Sequence, residues 1–166
     1  VGEIEVRGPH VFAGYLNRPE ATAEALTPDG WFKTGDLGWV SDDGYYTITG
    51  RARELIISGG YNIYPREIED TLAEHPAVAE VAVLGAPDAD LGEQVVAMIV
   101  PQAGQVGATE ALAEELIAYC RQRLASYKKP RRVIFVESLP RNALGKVQKH
   151  LLAARLVAHL SAEASE

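Results

Sequence analysis

Two short apolar runs constrain this chain more than any other feature: Val81-Ala82-Val83-Leu84, and VVAMIV from Val95 to Val100. A strand with one solvated face alternates apolar and polar residues, whereas a strand that is apolar at every position needs cover on both faces. These runs predict strands over 78–84 and 94–100 with neighbours on both sides. Around them the pattern keeps changing period: a strand at 54–57, a helix from Pro65 to His75, a helix over 110–125, a strand over 133–136 and a helix over 147–159. In the first of these helices Ile68 and Leu72 fall four apart on one narrow stripe, while Glu67, Glu69 and Asp70 point elsewhere. The expected fold class is α+β, a small domain with a short antiparallel sheet and helices.

Residues 2–50 have another character. Ile4 and Val6 alternate with Glu3, Glu5 and Arg7, and SDDG at 41–44 reads as a turn between Leu37-Val40 and YYTITG. One short helix interrupts this β-rich region, with Asn17 as its expected cap and Pro19 in its first turn. The only join to the rest is GRARE at 50–54, short and charged, which suits a hinge better than a flexible tether. SAEASE at the end is expected to fray. The chain opens on a strand with no initiator Met, so it is expected to be part of something longer.

Charge and cysteine content remove several function classes. Sixteen basic against twenty-three acidic side chains give a net charge of -7, which argues against non-specific nucleic-acid binding. Any anionic ligand must be met by a local cluster. The single Cys120 rules out an internal disulfide and a cysteine-built zinc site, and fits a reducing, cytoplasmic setting. No stretch approaches the ~18 consecutive apolar residues of a membrane span. The four histidines have no metal spacing, and no G-x-S-x-G supports a hydrolase.

Four stretches carry candidate chemistry. LPRNALGK, ending at Lys146, shares Gly145-Lys146 with the phosphate-binding loop G-x-x-x-x-G-K-[ST], but Pro140 holds the first glycine position and Val147 replaces the hydroxyl residue. What remains is a lysine on a glycine-loosened loop at an expected helix start, either a plain surface cation or a charge placed for an anion. WFKTGDL at 31–37 places Asp36 after Gly35 between strands, where a carboxylate can accept two hydrogen bonds from a ribose diol or simply stabilise a turn. SGGYNIYPREIE, from Ser58 to Glu69, joins a double glycine directly to an expected helix start. Glycine there serves a turn, or lets bare backbone approach another molecule. Finally, Arg121, Arg123, Lys128, Lys129, Arg131 and Arg132 form a basic run with Tyr127 interleaved and no acid among them. That is a solvated face or a site for a ligand with several phosphates.

The order WFKTGDL, GRARELIISGGYNIYPREIE, LPRNALGKVQK resembles the adenylate-forming superfamily: acyl-CoA synthetases, peptide-synthetase adenylation domains and luciferases. The similarity runs from residue 1 to about 156. SGGYNIYPREIE together with YKKPRRVIFVESLPRNALGK looks most like the acyl-CoA and aryl-CoA ligases, including malonyl-CoA synthetases. The resemblance implies that residues 1–52 end a large N-terminal domain that supplies the AMP ribose site, and that 53–160 form a mobile C-terminal domain with 161–166 as a tail.

It also implies roles. Asp36 would hold the ribose hydroxyls with Arg51 beside it, Arg53 would occupy the hinge, and Lys146 would neutralise charge as a carboxylate attacks the α-phosphate of ATP. Ser58, Gly59 and Gly60 would line the tunnel for the pantetheine arm of coenzyme A. Tyr127, Lys129 and Arg131 would touch the CoA nucleotide. The implied substrates are a small carboxylic acid, ATP with Mg2+, and CoA; no metal site on this chain is implied. The upstream phosphate-binding loop and acyl pocket are absent, so this stretch alone is expected to be inactive. Two further readings stand beside this one: an adenylation domain that loads a carrier protein, and a non-catalytic interaction module.

Overall fold

The computed structural model describes residues 1–103 and 109–163, and the side chains of the last helix as far as Ala158. The chain divides into two compact units, Val1–Arg53 and Glu54–Glu166.

The first unit is built on an antiparallel sheet in the order β1 (Gly2–Val6), β2 (Phe32–Val40), β3 (Tyr46–Arg51). The SDDG turn joins β2 to β3 as expected, with Ser41 Oγ donating to the Asp43 carboxylate and accepting the Tyr45 N–H, and with Gly44 at φ 86°. The helix α1 spans Pro19–Ala25 with Pro19 in its first turn. Asn17 does not cap it. The cap position is Arg18, with no side-chain hydrogen bond, and Asn17 instead takes a left-handed backbone at φ 55° in the preceding turn. Thr22 ties that turn down by donating Oγ1 to the Arg18 carbonyl and accepting the Tyr15 N–H.

The second unit is α+β. Its long hairpin pairs β6 (Val78–Asp88) with β7 (Gly92–Pro101), and β7 is flanked on its other edge by β4 (Ile56–Ser58) at Gly92 and by β8 (Arg132–Phe135) along Val96–Ile99. The β7–β8 pair is parallel, so the sheet is mixed where an antiparallel one was expected. The apolar runs do what their pattern requires. Val83, Val95, Ala97 and Ile99 face a core that includes Ile68 and Leu72 of α2 (Pro65–Ala73) and Leu112, Leu116 and Cys120 of α3 (Glu110–Arg123). Ala82, Leu84, Val96 and Met98 face the opposite core, with Leu152 and Leu156 of α4 (Lys149–Glu163). Each fully buried Leu or Ile contributes roughly 1.5–3 kcal/mol, so losing either layer of helices would strip the sheet of its stability.

Several boundaries shift. Helix α2 stops at Ala73 because His75 is used by a buried turn: its N–H donates to the Leu72 carbonyl and its Nδ1 accepts the Ala77 N–H. Helix α4 starts at Lys149, two residues later than expected, because Arg141 and Val147 pair as a bridge and 140–148 is consumed by a small hairpin. It runs to Glu163, through part of the stretch expected to fray; residues 164–166 lie outside those described. Helix α2 starts at Pro65 as expected, but a strand not expected from the sequence, β5 (Tyr61–Ile63), precedes it, so that Gly59-Gly60 is the two-residue turn of a β4–β5 hairpin. Among the described residues no helix is long and apolar enough to cross a membrane.

Candidate functional site

Lys146 sits on the small hairpin. The Asn142 N–H donates to the Lys146 carbonyl at 2.9 Å, and Gln148 N–H closes the base onto the Pro140 carbonyl at 2.8 Å. Gly145, at φ 77°, supplies the left-handed turn residue. Inside the loop the Asn142 Oδ1 accepts two backbone N–H groups, from Leu144 and from Lys146, both at 3.0 Å. Arg141 clamps the outside, donating to the Gly145 carbonyl at 2.6 Å and to Glu80 of β6 at 2.5 Å. The expectation of a lysine at a helix start with free N–H groups for an anion is therefore corrected: the Lys146 N–H is taken by Asn142, and α4 begins three residues on. What the hairpin offers is the exposed Lys146 side chain itself, next to Leu144, which is 81% exposed.

The double glycine is a turn with both central residues at positive φ, 55° at Gly59 and 81° at Gly60. That is the type I′ geometry whose twist matches its flanking strands. The hairpin is docked on the sheet from three points. Ser58 pairs with Gly92, Gly59 N–H donates to the Leu91 carbonyl at 2.9 Å, and Ile57 N–H donates to the Glu93 carboxylate at 2.8 Å. Ser58 and Gly59 then line a cavity of about 200 Å³ together with Tyr61, Tyr127, Lys129 and Arg131. The rings of Tyr61 and Tyr127 stack, centroids 4.4 Å apart. So five of the six residues expected to handle coenzyme A meet in one hollow, and the sixth, Gly60, is exposed at the hairpin tip.

The rest of the basic run is divided. Lys128 binds Glu67 of α2 at 2.7 Å, and the Arg123 guanidinium lies over the Tyr119 ring at 3.5 Å. The Lys128 pair ties the turn after α3 to α2 and the Arg123 contact stays within α3, while Lys129 and Arg131 line the cavity.

In the first unit Asp36 lies within β2, not in a turn between strands, and is paired across the sheet with Arg51. Their side chains form an ion pair at 2.8 Å, and Arg51 also donates to the Thr34 carbonyl at 3.1 Å. The Asp36 N–H is held by Thr34 Oγ1 at 3.1 Å. Beside this pair opens a cavity of about 600 Å³ lined by Glu3, Arg18, Lys33, Arg51 and Arg53 among others. Arg53 is exposed and is the last residue of its unit, within a single 3-10 turn over Ala52–Glu54.

Sequence reasoning missed a second charged cluster. Lys149 Nζ lies 2.9 Å from Glu54 and 2.7 Å from Glu69, and Glu69 also accepts the Val83 N–H at 2.8 Å. Glu67 and Glu69, which point away from the Ile68/Leu72 stripe, are both committed to lysines from distant segments; of the three acids only Asp70 makes a local pair, with Arg66. Tyr61 was also missed. Its alternation in YNIY gives a strand signal only when the preceding glycines are taken as a hairpin turn.

Residues 67–146 match the AMP-binding enzyme C-terminal domain family. The malonate–CoA ligase of Arabidopsis thaliana is 47% identical over 163 residues, which is 94% of this chain and 27% of that protein. The long-chain-fatty-acid–CoA ligase of Bacillus subtilis (strain 168) is 47% identical over 151 residues, 91% of this chain and 26% of that protein. The ATP-bound structure of MatB from Rhodopseudomonas palustris superposes with a TM-score of 0.84 at 44% identity, over 93% of this chain and 30% of that one. The chain thus spans under a third of the length of these relatives. It belongs to the adenylate-forming superfamily: it carries the C-terminal domain of those enzymes, and the relatives it matches are acyl-CoA ligases.

Proposed function

We propose that this chain is the C-terminal part of an AMP-forming acid–thiol ligase, which joins a carboxylic acid to ATP as an acyl adenylate and then to coenzyme A. In the first step a carboxylate oxygen attacks the α-phosphate and pyrophosphate leaves, with Mg2+ arriving on the nucleotide; in the second the CoA thiol attacks the acyl carbon and AMP leaves. Lys146 supplies a positive charge where negative charge builds up in the first step. Asp36, held by Arg51, binds the ribose hydroxyls, and Arg53 is the hinge. Ser58, Gly59 and Gly60 border the pantetheine arm, while Tyr127, Lys129 and Arg131 hold the CoA nucleotide.

The observation that supports this best is the shared hollow beside the glycine hairpin, with two cations and a stacked pair of rings at its rim. A carrier-protein acceptor would bring a phosphopantetheine arm with a single phosphate and no nucleotide, whereas coenzyme A brings several phosphates for the two cations Lys129 and Arg131. The test uses a full-length chimera in which residues 1–166 replace the matching part of the A. thaliana malonate–CoA ligase, assayed with malonate. Replacing Lys129 and Arg131 together by Ala should raise the KM for CoA roughly 10-fold or more, since hydrogen bonds to charged groups contribute about 1.5–3 kcal/mol, and leave the KM for pantetheine unchanged. An equal rise for both thiols, or none, would remove the nucleotide site from the account.

A further inference from the structure

We propose that Asn142 is a positioning residue for Lys146, holding the lysine at a fixed height and direction for the first half-reaction. This rests on the role proposed for Lys146 and adds the reason that an exposed lysine on a loop can act as a placed charge. A lysine side chain has a flexible four-carbon stem, so its precision depends on a fixed backbone beneath it. Two things fix that backbone. One Asn142 oxygen accepts the N–H groups of both Leu144 and Lys146, so a single side chain determines the path of the whole tip. The main chain of the same residue closes the ring in both directions, donating to the Lys146 carbonyl and accepting the Gly145 N–H at 2.9 Å. Arg141 then ties this closed loop to β6 through Glu80, outside the ring.

Both main-chain hydrogen bonds of Lys146, from its N–H and to its carbonyl, are made with Asn142. Without its carboxamide the N–H groups of Leu144 and Lys146 lose their partner and turn to water, since both residues are exposed. The cost in stability is small, while the lysine loses its bearing. A displacement of about 1 Å of a catalytic group can cost on the order of 100-fold in rate. Threonine at this position retains a side-chain oxygen that reaches nearby N–H groups more weakly than Asn does. Its loop should therefore be partly held.

The experiment has two arms. In residues 1–166, amide hydrogen exchange at Leu144 and Lys146 should be slow in the parent, fastest in Asn142→Ala and intermediate in Asn142→Thr. In the malonate–CoA ligase chimera, pyrophosphate release should fall roughly 10- to 100-fold in Asn142→Ala and less in Asn142→Thr, through kcat with little change in the KM for ATP. Thioester formation from supplied malonyl adenylate should not change. Exchange that is already fast in the parent, or faster exchange in Asn142→Ala with an undiminished rate of pyrophosphate release, overturns the positioning role. A Lys146→Ala chimera run alongside separates the two ideas: if it too releases pyrophosphate at the parental rate, the role of Lys146 itself has failed.

Discussion

Tyr61 and Tyr127 lie almost parallel, with ring centroids 4.4 Å apart and planes inclined by 19°. One comes from the strand after the glycine turn and the other from the single turn of 3-10 helix after α3. An aromatic pair of this kind contributes about 0.5–1.5 kcal/mol beyond its buried area. Tyr127 is only half covered, which leaves ring surface for a ligand. Tyr127→Ala in the chimera should raise the KM for CoA roughly 3- to 10-fold without changing pyrophosphate release, and Tyr61→Phe should be silent in both. Steady-state kinetics with each substrate varied checks this, and a loss confined to pyrophosphate release would refute it.

Lys149 joins the first residue of the second unit to helix α2 through Glu54 and Glu69. Both Lys149 and Glu69 are largely shielded, so removing the cation strands two carboxylates. Lys149→Met should destabilise residues 1–166 by about 1–3 kcal/mol, seen as a lower urea midpoint at constant slope. Glu69→Gln should cost less, because its amide oxygen can still accept the Val83 N–H. The reverse order would show that the ion pair contributes little.

The two central strands and their double cover could be read from sequence because every residue of VAVL and VVAMIV is apolar, and hydrophobicity alone identifies a strand buried on both faces. The β4–β5 hairpin could not, since its second strand is three residues long and begins Tyr-Asn, with nothing to separate it from the loop. The same limit applies at the candidate site. Gly59, Lys129 and Arg131 stand out by composition, but their shared hollow depends on Leu91 and Tyr61 arriving from separate segments. The Glu69 ion pair has no local signal because its partner Lys149 lies far along the chain. Asn142 went unnoticed because the glycine and lysine beside it carry the more familiar chemistry.

Burial raises the thiol of Cys120, packed in the α3 core, to about 11. In the unfolded chain the thiol ionises at its ordinary value, about 8.5, so the stability from burying a neutral Cys120 is fully present below that pH and is lost as pH rises from there through about 11. Cys120→Ala should remove this part of the alkaline loss, at the cost of a cavity. Urea midpoints of both proteins between neutral and strongly alkaline pH measure it. Parallel pH profiles for the two would contradict the assignment.

Gly60 separates the two uses of the double glycine. Its backbone is left-handed at φ 81°, and an added Cβ would meet nothing within 4 Å. Any cost of substitution within this chain is therefore conformational. Asn tolerates that region, whereas a β-branched residue loses roughly 1–2 kcal/mol there. Gly60→Asn should leave stability near that of the parent while slowing thioester formation from malonyl adenylate, because on the proposed role of this hairpin its side chain would stand in the path of the thiol arm. Gly60→Val should lose both. If Gly60→Asn formed thioester at the parental rate, the turn would be the whole reason for the glycine.

The most direct measurement takes Lys146→Ala in the malonate–CoA ligase chimera and compares its two half-reactions in one preparation: pyrophosphate release from ATP and malonate, and thioester formation from preformed malonyl adenylate and CoA. Lys146 is exposed on a closed hairpin whose backbone bonds do not involve its side chain, so the substitution leaves the fold intact. Removing one group that stabilises charge in a transition state costs on the order of 100- to 1,000-fold. Pyrophosphate release should fall by that factor and thioester formation should not change. Equal losses in both half-reactions, or a loss in the second alone, would contradict the account.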